Sequence, residues 1–358
     1  MNRTGIALAT DSAATVRSPA GKAKLYQADK LFMLSNTQPV GVMVYGNAAL
    51  LGVPWEVILK LFRAKLGNSK LPALEDYATS LWEFISESKQ LFPKSEQQRY
   101  YLHLVDLFFR RLASKVSTLF IAHNRDIDIP KKKPLLHFQI EVVLAELAVW
   151  QGKANSGTFD IAIANEYSGA DSGKVNDLVL RHFPGASDEV VNALTELSKL
   201  IISKDEIAPD ARSGIVIAGY GEGNFFPVMQ EFQVGEIYRD RLKYRHVDTW
   251  RISNDLRSVV KPFAQSEMAQ TFLYGISPRV NLKQVREIVE AVVLSANGAI
   301  DGFPGVSKRR KNAYKDQILP RSIAAAKVIQ KNIREHSIRE HYSQVLEFVT
   351  YQIGRAHV

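Results

Sequence analysis

The sequence predicts an α+β chain in which two strand-rich blocks flank a long helical segment. Apolar residues alternate at period two in short runs from Ile6 to Val44 and again from Ser213 to Arg245. From about Leu71 to Lys204 they recur instead at three- and four-residue steps, and a further helical stretch follows Leu319.

Taken in order, Ile6 and Leu8 alternate with Ala7 and Ala9, which predicts a strand over Gly5–Thr10 ending at Asp11. Ser18, Pro19, Ala20 and Gly21 form a turn cluster. Leu31 and Met33, then Val40, Val42 and Val44, predict two more strands, with Lys30 directly before the first and Gly46 directly after the second. Pro54 follows Gly52, Glu56 falls in the first turn, and Val57, Ile58, Leu61 and Phe62 share a face, so a helix begins near Pro54.

Leu74–Leu91, Ser95–Ala122 and Leu136–Trp150 predict amphipathic helices. In the second, Leu102, Val105, Phe108, Phe109, Leu112 and Val116 face away from Arg110, Arg111 and Lys115. Arg125–Pro134 is a charged connector, Thr158–Ala164 predicts a short strand, and Val190–Ile202 predicts another helix. Ser213–Arg245 predicts two or three strands. Gly219–Gly223 reads as a hairpin turn, because its spacing fails the dinucleotide pattern and FFPVMQEF does not start a helix. Lys261–Ile276, Leu282–Leu294 and Leu319–Tyr351 predict helical layers.

At 358 residues and 46% hydrophobic content the chain can bury one large core or two modest ones. No run approaches the roughly eighteen apolar residues of a membrane span, and the beginning has no signal-peptide core. Cysteine is absent, which excludes disulfides, thiolate metal sites and a cysteine nucleophile within these residues. A cytoplasmic protein without a membrane partner is the expectation. The net charge of +9 is partly clustered at Pro130–Pro134 and Ser307–Lys315; both runs read as solvated loops, with no nucleic-acid-binding signature beside them. IREH recurs at Ile333 and Ile338, a five-residue step that does not suit a helical zinc pair, so both histidines read as solvated. Trp55, Trp82, Trp150 and Trp250 are scattered and read as core or interface anchors. No metal or cofactor is expected.

Three segments, GIALATDSAATV (Gly5–Val16), DKLFMLS (Asp29–Ser35) and VGVMVYGNAALLGVPWEVILKLFR (Val40–Arg63), together resemble the proteasome β-subunit pattern of the N-terminal-nucleophile (Ntn) hydrolases. More narrowly, the chain is similar to bacterial proteasome-like proteins carrying a helical insertion. The resemblance implies an αββα sandwich of two mainly antiparallel sheets. It assigns residues 1–66 and 206–300 to the two halves of that core, 67–205 to the insertion, and 301–352 to a basic loop and a closing helix. Residues 353–358, IGRAHV, match the translation of a common sequencing adapter and are set aside.

In this class the hydroxyl of the first residue attacks a carbonyl, with its own α-amine, of ordinary pKa about 8, as base. The resemblance places Asp11 and Lys30 as the carboxylate and amine that tune the nucleophile, and Gly46 as the backbone donor to the oxyanion. The nucleophile strand and its turn would need roughly 9 to 15 residues before Asp11. Only ten precede it, and Thr4 sits where the turn should be, so no residue present is nominated and this chain alone is expected to be inactive. Truncation at both ends is one expectation. The implied partners are a peptide or protein substrate and further copies in a homo-oligomer. Two rivals are a non-catalytic scaffold that keeps the fold, and a polyanion-binding module built on Lys308–Lys311.

Overall fold

The computed structural model describes residues 1–10, 13–17, 23–27, 29–125, 132–159, 161–209, 211–264, 270–272, 275 and 277–355. The described chain is a mixed α and β protein. Its strands are β1 (Ala13–Arg17), β2 (Ala23–Gln27), β3 (Leu31–Met33), β4 (Val40–Gly46), β5 (Ala49–Leu50), β6 (Val53–Pro54), β7 (Ser213–Gly219), β8 (Val228–Tyr238) and β9 (Arg241–Arg251). Its helices are α1 (Trp55–Leu66), α2 (Leu74–Glu87), α3 (Lys94–Asn124), α4 (Leu135–Gln151), α5 (Ile161–His182), α6 (Asp188–Ser203), α7 (Pro278–Asp301) and α8 (Lys308–Arg355). Two compact units result: Leu8–Arg251, and Met1–Ala7 together with Ile252–Val358.

In the larger unit, five antiparallel strands lie in the order β3-β4-β7-β8-β9. The register sets Leu31 opposite Met43, Val44 opposite Ile215, and Ile217 opposite Gln230. Every position of β7 is buried. Ile215 and Ile217 share one face of the sheet with Val42, Val44, Phe232 and Val234, and α1 and α2 cover it with Trp55, Ile58, Phe62, Tyr77 and Leu81. Truncating either isoleucine to alanine removes fully buried methylenes at a cost of about 2–5 kcal/mol. A second core is built by α3 to α6 around Val105, Phe109, Val143, Val179, Leu194 and Leu197. Tyr238, at the end of β8, belongs to it and meets Phe159 edge-on at 5.4 Å and Tyr101 at 6.1 Å. The end of β8 is therefore one point at which the helical segment is fastened to the sheet.

β1 and β2 form a hairpin of their own. The connection between β4 and α1 carries a second, minimal hairpin, β5–β6, turned by Leu51 and Gly52 with φ of 46° and 82°. That is the pair of positive angles a two-residue type I′ turn needs.

In the smaller unit, α7 and α8 pair along their length, with Lys315 bridging to Asp301 at 2.8 Å and Gln330 Nε2 donating to Asn281 Oδ1. The Met1 α-amine is buried and donates to the Val259 carbonyl at 2.8 Å.

Several expectations need correction. Residues 6–10 form no strand; the first described strand begins at Ala13, and the small alanines at 7 and 9 are exposed rather than packed. The turn cluster Ser18–Gly21 lies outside the described residues, as does most of the connector Arg125–Pro134. Thr158–Ala164 is not a strand: α5 starts at Ile161, and Ala164 is buried among the helices. Alternating Ile and Ala over so short a run fits either period. The basic run Ser307–Lys315 is not a loop but the start of α8, since lysine, arginine and alanine are good helix formers. Of Lys261–Ile276, residues 261–264 are not helical, 270–272 are, and most of the rest is not described. His336 is exposed as expected, whereas His341 hydrogen-bonds the Phe272 carbonyl at 2.9 Å.

Packing is very close between Tyr45 and Gly214, which lie opposite each other in the β4–β7 ladder. A Cβ on Gly214 would come within 1.9 Å of the Tyr45 ring, whose hydroxyl crosses β7 to donate to Glu231 on β8. Gly214→Ala is expected to displace the ring and destabilise the protein by about 1–3 kcal/mol in urea unfolding. Combined with Tyr45→Ala, the loss should be smaller than the sum of the two single changes, because both act on one contact.

Candidate functional site

β3 and β4 bring two of the three sequence-predicted site residues together. The Val44 N–H donates to the Lys30 carbonyl at 2.8 Å, so Lys30 lies opposite Val44 and Gly46 is its diagonal neighbour, about 7–8 Å away by strand geometry. Lys30 is half-buried and Gly46 exposed. Asp11, the third residue, lies outside the described residues.

Gly46 has φ +78°, and a Cβ there would lie 2.7 Å from the Arg212 carbonyl oxygen. Only glycine meets both demands. The chain beyond it is clamped: the Asn47 N–H donates to that same carbonyl at 3.0 Å, and the Trp55 N–H to Ala48 O at 3.0 Å. Ser213 is the hub of the clamp. Its Oγ accepts the Trp55 indole N–H at 2.8 Å and donates to the Asn47 carbonyl at 2.8 Å. An indole buried at the first turn of α1 thereby fixes the loop carrying Gly46, and the site is held rigidly from beneath.

Beside this loop is a cavity of about 230 Å³, walled by Asn47, Leu50, Leu51, Gly52, Tyr100 and Glu236. Glu236 is buried in a bulged stretch of β8, and its Oε1 has no hydrogen-bond partner. Burial raises its pKa against the opposing pull of Lys243. Lys243 is itself buried and donates to the carbonyls of Ile201 at 2.8 Å and Glu206 at 2.6 Å, at the C-terminal end of α6 where a cation is favoured. Burial lowers its pKa to about 8. The lysine is engaged by backbone carbonyls; the carboxyl is the group that faces a cavity. Neither residue was anticipated, although a glutamate and a lysine at apolar-flanked strand positions (VGEIY and RLKYR) were visible in the sequence.

Thr4, the one hydroxyl residue before the aspartate strand, donates through Oγ1 to Asn2 Oδ1 at 2.8 Å in a local turn. No cluster of metal-ligating side chains occurs among the described residues, and no described helix is long and apolar enough to cross a membrane.

Two measurements probe this region. Gly46→Ala is expected to lower stability by about 1–3 kcal/mol from backbone strain alone. For Glu236, the native state holds its proton above the ordinary 4.5, so its contribution is complete below that pH and is lost as pH rises toward the higher native value. Urea midpoints below about pH 8, before Lys243 titrates, should therefore fall with pH in the wild type and be flatter in Glu236→Gln.

No family model, no curated protein and no solved structure matches this chain. The functional reading accordingly stands on residues and geometry.

Proposed function

We propose that this chain is a proteasome-like hydrolase of the N-terminal-nucleophile class, a cytoplasmic, threonine-type peptidase that cleaves amide bonds in peptides or proteins. The observation that supports it is the placing of Lys30 and Gly46 at one end of the β3–β4 ladder, with α1 following through a rigid loop. In this reading β3-β4-β7-β8-β9 is one sheet of an αββα sandwich, α1 and α2 are its outer layer, and β1–β2 belongs to the facing sheet. The helices α3 to α6 are the insertion, and copies assemble as a homo-oligomer.

The chemistry requires a threonine, serine or cysteine with a free α-amine on a strand preceding the aspartate strand; no residue from 1 to 358 is assigned that role. Its side-chain proton passes to the α-amine as the oxygen or sulfur attacks the carbonyl carbon. Lys30, oriented by Asp11, favours the anionic form of the nucleophile. The backbone N–H at Gly46 receives the oxyanion, and the amine then carries the proton to the leaving nitrogen.

Expressed behind a segment that exposes such a residue on processing, the protein is expected to take up a β-lactone electrophile as a single mass adduct on it. Lys30→Ala should slow labelling by about 10²- to 10⁴-fold while far-UV circular dichroism is retained. Wild-type labelling rates in Lys30→Ala would remove that lysine from the mechanism. Absence of any adduct would favour the scaffold reading.

A further inference from the structure

Two edges bound the five-stranded sheet, and they are unequal. β3 is three residues long, whereas β9 runs for eleven, and among the described residues no strand pairs with its outer side. Successive side chains of a strand point to opposite faces, yet all four residues from Arg245 to Asp248 are exposed. Here the edge is open on both faces. An open row of backbone N–H and C=O groups is a template for another strand.

β9 is also irregular in a way that selects its partner. Between Glu231 and Phe232 the β8–β9 register shifts, which leaves Val247 as an extra residue with none opposite it. Before this bulge, Tyr244 and His246 stand opposite Val234 and Phe232, on the face that α1 and α2 cover. After it, Thr249 and Arg251 stand opposite Gln230 and Val228, on that same face. Arg245 and Asp248, opposite Gln233 and Glu231, share the other face. A regular strand laid along the outer side would leave one residue of β9 unpaired, as β8 does. A strand with its own extra residue at the matching place pairs throughout.

A second copy of β9 is such a strand. Run antiparallel about a two-fold axis between His246 and Val247, it sets Tyr244 opposite Thr249 on one face and Arg245 opposite Asp248 on the other, each twice. The charges agree as well. Asp248 stands opposite the carboxylate of Glu231, an unfavourable neighbour in a ladder, and its Oδ1 accepts the Thr249 N–H. Arg245 donates to Gln233 Oε1 at 2.5 Å and lies 3.6 Å from Asp205, and a guanidinium has five N–H donors to share. Opposite residues in an antiparallel pair have Cβ atoms about 4.5–5.5 Å apart, within reach of an ion pair.

We propose that two copies of this chain dimerise through β9, Tyr244 to Thr249 of each joining the two sheets into one, with Arg245 of each copy paired to Asp248 of the other. The bulge and the charges discourage unrelated strands and fit this one. The Lys30–Gly46 arrangement lies at the opposite edge of the sheet, so a monomer would end this pairing and leave the chemistry proposed there untouched.

Light scattering on the whole chain is expected to give the mass of two copies or an even multiple of it. Arg245→Glu and Asp248→Arg should each weaken the dimer about tenfold or more, and the doubly changed chain should regain it, because the ion pair is restored with its signs exchanged. The chain has no cysteine, so Val247→Cys sets one thiol per copy diagonally across the axis, at a Cα separation of about 6 Å that a disulfide can span. Mild oxidation should link it into a covalent dimer, while Ile121→Cys, at an exposed helix position, should give little product. A monomeric wild type overturns the proposal, as does a dimer that the single charge reversals leave intact or that the double change does not restore. Should a charge variant fail to fold, the Val247→Cys chain decides: cross-linking above the Ile121→Cys control supports the pairing, and its absence overturns it.

Discussion

β7 has no solvent-facing position, and the remainder of the larger unit is arranged around that fact. A strand buried on both faces must satisfy its backbone through ladders on both edges and can carry a polar side chain only if that side chain is fully engaged. β4 and β8 supply the ladders. Ser213 is the polar exception and is engaged twice, by Trp55 and by Asn47. Where a large side chain must cross, β7 has no side chain at all: Gly214 lies under the Tyr45 ring. Burial and the Glu231 contact then hold the Tyr45 hydroxyl well above the ordinary tyrosine pKa, as a neutral donor. One strand thus fixes the reach of β4, the loop after Gly46 and the first turn of α1.

The same logic explains the two buried ionisable residues at the far end of the sheet, Glu236 and Lys243. Isolated buried charges are costly unless hydrogen bonds engage them. Lys243 is retained where the last carbonyls of α6 and the following segment need a donor, so it fastens the helical segment to β9 while Tyr238 fastens it to β8. Glu236 lies at the rim of a cavity, its pKa raised by burial and one of its oxygens unpartnered. The helices from α3 to α6 are consequently not a loose appendage of the sheet. Two independent attachments join them to adjacent strands.

What the sequence made legible followed from strong periodicity. β4, β7 and β8 alternate or run apolar over many residues, and α2, α3, α4 and α6 repeat an apolar stripe through several turns, so their kind could be read directly. Short or compositionally neutral segments could not. Ile161–Ala164 suits either period, and the start of α8 is too polar to show a face. The positions of Lys30 just before β3 and Gly46 at the end of β4 were legible because the strands themselves were, whereas the roles given to the two residues rest on the resemblance. Glu236 and Lys243 were not, because each depends on residues far apart in sequence meeting across the sheet and its covering helices.

Gly46 and Lys30 bear unequally on the hydrolase reading. The backbone alone demands glycine at 46: φ is +78° and the Arg212 carbonyl occupies the place of a Cβ, so the position would be glycine in a scaffold as well. Lys30 is different. The ladder uses its carbonyl, which any residue offers, and β3 is a three-residue edge strand that would pair with β4 regardless of the side chain at its start. Half-burying a long cationic side chain costs conformational entropy and hydration that a smaller polar residue would not incur. In the proposed hydrolase such an amine would stabilise a forming alkoxide where water is partly excluded. The identity of residue 30 therefore bears on the catalytic reading more than the geometry of residue 46 does, while in a scaffold the same charge at the start of an edge strand would discourage pairing with another sheet.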